Sequence, residues 1–158
     1  MAGQPAEDRD LERWKRDYLR RWKSLRSLQG EFGRTLEGLY DRLPMFHAFL
    51  RLWAIRWRLA LAARRARRLT PPARLGAEAR AALAGAVDDL AAGITSWSGA
   101  VTYLLTFLKQ AADRPGLSPE DLHGHLAAAR AYMEQASARF ACGLDAVQRV
   151  GRSPKLAG

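Results

Sequence analysis

The sequence predicts an all-α protein, an elongated antiparallel bundle of about four long helices. Three observations lead there. Apolar residues recur at steps of three and four over long stretches, sustained polar-apolar alternation is absent, and the breakers fall in a few places, at Pro44, Thr70-Pro71-Pro72 and Asp113-Arg114-Pro115-Gly116. At 158 residues the chain fits one domain with a real core. That domain is expected to span 8–150, between a disordered N-terminus (1–7) and a flexible tail (151–158).

The first helix is predicted over about 8–43. Leu11, Trp14, Tyr18, Trp22, Leu25, Phe32, Leu36, Leu39 and Leu43 form its apolar stripe. Gly30, Gly33 and Gly38 each weaken a helix by roughly 1 kcal/mol relative to Ala, so a kink near 30–33 is expected. Pro44 ends the helix. The second helix is read over about 45–69. The third, about 74–112, repeats Leu83, Val87, Leu90, Ile94, Trp97, Val101, Leu104 and Leu108 as a heptad-like seam. Its small residues Gly85, Ala92, Ser96 and Gly99 suit close approach of a neighbour or serve as plain filler. Ser118 before Pro119, Glu120 and Asp121 is a start signal for the fourth helix, whose buried face runs from Leu122 through Leu126, Met133 and Phe140 to Val147.

Charge separates the chain into two halves. Residues 1–76 carry 18 Lys and Arg against 8 Asp and Glu, while residues 77–158 carry 8 of each, so the whole net charge of +10 lies in the first half. That balance favours polyanionic partners. On the first helix Arg9, Arg13, Arg16, Arg20 and Lys23 step by four and three into one basic stripe about 21 Å long. Asp8, Glu12 and Asp17 lie beside it, placed to pair with Arg13, Arg16 and Arg21, so a solvated, self-neutralised face is the plain alternative.

The second helix contains RLWAIRWRLALAARRARRL at 51–69, seven arginines among aromatic and aliphatic residues. On a helical wheel Phe46, Phe49, Leu50, Trp53, Trp57, Ala60 and Leu61 share one face, and Ala48, Leu52, Ile55 and Leu59 form a second strip. Arg56 separates the strips on one side, and His47, Arg51, Arg58 and Arg65 on the other. The helix therefore either sits between neighbours with both strips covered, or docks the second strip, Leu52, Ile55 and Leu59, on another chain or another copy. All five tryptophans lie on apolar stripes and are expected in the core rather than stacked on bases. Arg64, Arg65, Arg67 and Arg68 exceed what capping a helix dipole requires.

Arg9, Arg13, Arg16, Arg20, Lys23, Arg51, Arg58, Arg64, Arg65, Arg67 and Arg68 are thus the candidate contacts to a DNA or RNA backbone. No motif for reading bases is present. The alternatives are a membrane-surface protein, with Trp53 and Trp57 as interfacial anchors and its arginines on anionic lipid, and an oligomer or adaptor that binds an acidic protein. The split of the second helix into two strips counts against the membrane alternative. In size, charge and all-helical character the chain resembles the small helical subunits of CRISPR effector complexes and the accessory proteins of mobile elements. That likeness covers general architecture and transfers no functional residue.

Nothing points to catalysis, a metal or a cofactor. His123 and His125 diverge by about 200° on a helix, as do neighbouring Asp88 and Asp89 by 100°, which leaves all four as surface residues. Cys142 has no base nearby in sequence and is expected to be a buried, inert thiol. A lone cysteine forms no internal disulfide, and charges interrupt the most apolar stretches, so a cytoplasmic location without a signal peptide or membrane span is expected.

Overall fold

The computed structural model describes residues 4–41, 44–113 and 118–150. They form α1 (Gln4–Tyr40), α2 (Met45–Ala66), α3 (Ala77–Asp113) and α4 (Pro119–Val150). Each helix packs on its neighbours in sequence, and α1 closes the ring against α4, which gives an up-and-down four-helix bundle. The two 37-residue helices, α1 and α3, are each about 55 Å long.

Helix ends follow local chemistry. The Asp121 backbone N–H donates to Ser118 Oγ at 3.1 Å, so Ser118 caps α4 as its hydroxyl and the following acids imply. α1 starts at Gln4, which makes residues 4–7 helical rather than disordered; residues 1–3 and the tail 151–158 lie outside the described residues. α1 is also one uninterrupted helix through Gly30 and Gly33. Leu28, Phe32, Leu36 and Leu39 are buried along that stretch, and their packing overrides the weak propensity of the glycines. α2 stops at Ala66, and Arg67 and Arg68 belong to the turn that follows.

The core is the one the apolar periodicities mark on α1, α3 and α4. Trp97 is its centre, edge-on to Phe32 of α1 at 5.9 Å and to Phe140 of α4 at 6.4 Å between ring centroids. Close helix approach is made by residues other than the expected small set. Gly85 and Gly99 face open space, whereas a Cβ on Gly93 would lie 2.5 Å from Phe140 Cε1, and one on Gly143 would lie 2.5 Å from the Tyr18 hydroxyl oxygen. Tyr18 donates a hydrogen bond to the Ala86 carbonyl at 3.3 Å, and so ties α1 to α3 in the space Gly143 leaves on α4. α3 contains a window long and apolar enough to cross a membrane, and half of that window is buried in the bundle.

Candidate functional site

α2 reverses the expected assignment of its two strips. Leu52, Ile55 and Leu59, the expected protein interface, are buried in the bundle core, together with Ala48. The aromatic strip expected to be core faces outward: Phe46 is 68% exposed, Trp53 48% and Trp57 57%, with Leu50 and Leu61 exposed beside them. Trp53 and Trp57 are in edge-on contact with each other, 5.9 Å between centroids. Of the five tryptophans, Trp14 and Trp97 are buried and Trp22 half-buried, so the expectation of core packing fails for Trp53 and Trp57.

The inversion leaves one outward apolar strip bordered by arginines. At 100° per residue Phe46, Leu50, Trp53, Trp57 and Leu61 centre nearly opposite the buried strip. Arg51, Arg58 and Arg65, seven residues apart, line one border, and Arg56 lies on the other. Arg64 continues the line of the strip by one turn, and all five of these arginines are exposed.

The border of Arg51, Arg58 and Arg65 faces α1. Arg51 and Arg34 line one shallow depression between the helices, and Arg58 and Arg65 meet Arg20 and Arg21 in a second. The cationic groups therefore gather on the α1–α2 side of the bundle. Arg9, Arg13, Arg16, Arg20 and Lys23 extend this side along α1, and all are exposed. Two of the flanking acids pair with other cations than expected, Glu12 with Lys15 at 3.8 Å and Asp17 with Arg20 at 3.9 Å. Arg58 donates to Glu31 Oε2 at 2.5 Å. Among the described residues Arg13, Arg16, Arg51, Arg64, Arg65, Arg67 and Arg68 form no ion pair. On the α3–α4 side, by contrast, Arg139 pairs with Asp89 at 3.3 Å and Arg149 with Asp145.

Arg21 and Arg34 were not among the candidate contacts. For Arg21 a signal exists in the chain: Tyr18, Arg21, Leu25 and Leu28 step by three and four, so the arginine occupies a position in the core-facing series. Its Nε atom is buried and has no hydrogen-bond acceptor among the described residues.

Among the described residues no three His, Cys, Asp or Glu side chains group as metal ligands. Cys142 is exposed, contrary to the expected buried thiol. Asp89 is half-buried and paired rather than simply solvated, and the His125 ring packs on Phe107 at 3.9 Å between centroids while contacting the Tyr103 hydroxyl. The chain matches no protein family, and a search for similar characterised proteins or solved structures finds none.

Proposed function

We propose that this protein is a non-enzymatic bundle that docks on an anionic membrane surface, α2 lying in the headgroup layer with its aromatic strip downward. The observation that carries this reading is the outward strip from Phe46 to Leu61, about 23 Å long, bordered by arginines on both sides. An apolar band of that length on an isolated bundle calls for a partner. An interfacial helix buries such a band by about 5–10 Å, with Trp at the polar-apolar boundary and cations on lipid phosphate. The argument against a membrane role, that two apolar strips split the amphipathicity, falls away because one strip is spent on the core. A second copy of the chain is a poor occupant, since pairing two strips would press their arginine borders together. Anionic headgroups attract those borders by about 1 kcal/mol per Arg near the surface.

A nucleic-acid backbone remains the second reading, and the row of Arg34, Arg51, Arg58, Arg65, Arg20 and Arg21 between α1 and α2 is the observation that favours it. It leaves the aromatic strip to a protein neighbour, and so needs two partners where the membrane needs one. Sedimentation with vesicles of phosphatidylglycerol and phosphatidylcholine separates the two. Uptake by mixed vesicles but not by pure phosphatidylcholine is expected. Replacing Trp53 and Trp57 together by Ser should abolish that uptake, and replacing Arg64, Arg65, Arg67 and Arg68 by Gln should weaken it with thermal stability nearly unchanged. No uptake, together with salt-dependent binding of single- or double-stranded DNA or RNA, overturns the membrane reading in favour of the nucleic-acid one.

A further inference from the structure

Where α1 and α2 lie over α3, four arginines converge: Arg20 and Arg21 from α1, Arg58 and Arg65 from α2. With them, Ser24, Leu25 and Leu28 from α1, Leu61 and Ala62 from α2, and Leu90 and Ile94 from α3 line a cleft of about 280 Å³. Two carboxylates offset part of this charge, Glu31 on Arg58 and Asp17 loosely on Arg20. Arg21 and Arg65 keep theirs, with no ion pair among the described residues. Arg21 is the informative member. Its guanidinium stands in a core-facing series, and its Nε is buried with no acceptor among the described residues.

We propose that this cleft binds one anionic amphiphile, with a phosphate on Arg21 and Arg65 and the first carbons of an apolar chain along Leu25, Leu28 and Leu61. Guanidinium forks match phosphate oxygens in bidentate geometry, and two of them, on Arg21 and Arg65, line this cleft without a carboxylate of their own. Beside the arginines and Ser24 the walls are aliphatic, a mixed lining that suits a charged headgroup carrying an apolar chain. The volume lies just under the range of about 300–1,000 Å³ typical of small-ligand pockets, so the cleft takes a headgroup and the start of a chain, with the remainder leaving past Leu61. Leu61 is also the last apolar residue of the outward strip, so that exit leads onto the face assigned to the membrane. The proposal deepens the membrane reading by naming the lipid chemistry held beside the docked helix.

The test uses the full chain and a short-chain phosphatidic acid, dihexanoyl phosphatidic acid, kept below its micelle concentration and followed by isothermal titration. Saturable binding of one molecule per chain is expected, weakened at least tenfold in Arg21→Gln and in Arg65→Gln. Dihexanoyl phosphatidylcholine and inorganic phosphate should each bind at least tenfold more weakly. Arg65 is exposed, so its variant reports on binding even if Arg21→Gln disturbs the fold. The paired Trp53→Ser and Trp57→Ser variant should keep this binding while losing vesicle uptake. Vesicle uptake without saturable binding of the short-chain lipid overturns the cleft and spares the membrane reading. Saturable binding without vesicle uptake does the reverse. Inorganic phosphate binding as tightly as the short-chain lipid overturns the amphiphile assignment.

Discussion

The α3–α4 pair and the α1–α2 pair are built from the same kind of amphipathic helix, yet they use their surfaces in opposite ways. In α3 and α4 each apolar stripe is consumed inward, the approach closed at Gly93 and Gly143, and the charged surface carries cross-helix and intrahelix pairs such as Arg139–Asp89 and Arg149–Asp145. In α2 one stripe is consumed inward and a second, bulkier one is left out, bordered by arginines of which Arg58 alone pairs with a carboxylate among the described residues. The first pair is finished as a folded object. The second leaves an apolar strip and its arginines on the surface.

This contrast is broken or sharpened by substitutions, starting with the largest expected effect. Leu52 and Leu50 sit on opposite sides of α2, one buried and one exposed. Leu52→Ala should destabilise the bundle by about 2–5 kcal/mol through lost burial and a cavity. Leu50→Ala should stay within about 0.5 kcal/mol. Denaturant titration of both variants checks the pair, and equal costs would mean that α2 is covered on both sides. A smaller difference is expected within α3. Gly93→Val drives carbon into Phe140 and the Ala136 carbonyl and should cost about 1–3 kcal/mol, whereas Gly99→Ala meets nothing and should be neutral or stabilising by up to about 1 kcal/mol. Thermal melts that move in the same direction for both would contradict the close approach of α3 and α4.

The smallest effect concerns Tyr18, where the basic half is fastened to the neutral one. Burial, with the nearby Asp89 charge adding to it, pushes the Tyr18 hydroxyl well above its ordinary value of 10.0. The folded state therefore holds this proton where the unfolded chain releases it. The resulting stability is fully present below about pH 10 and is lost progressively as pH rises beyond it. Tyr18→Phe should cost about 1 kcal/mol at neutral pH through the lost bond to Ala86, and should flatten the alkaline decline. Unfolding free energies measured from pH 7 to 11 read both changes.

Much of this architecture is legible residue by residue. The Leu83–Leu108 series marks one apolar face at steps of three and four, and that face is buried in the bundle apart from half-buried Val87, with Leu105 and Phe107 buried beside it. Ser118 announces the start of α4 through a contact three residues long. The cationic side is legible in part: the spacing of Arg9 through Lys23 implies one stripe on α1, but nothing local brings Arg65 beside Arg21, which lies 44 positions earlier in the chain. Cys142 is exposed against expectation, and of the two readings open for Gly85 the structure takes filler, since small residues look alike in sequence whether they face a neighbour or open space.

By itself the sequence determined four amphipathic helices, their stops and caps, a charge confined to the first half, and the presence of two apolar strips on α2, because each follows from contacts within one or two helical turns. Only the tertiary structure decided which strip was buried and which arginines met. Either strip satisfies the period of the helix, and packing against α1 and α3 buried Ala48, Leu52, Ile55 and Leu59 and left Trp53 and Trp57 outside.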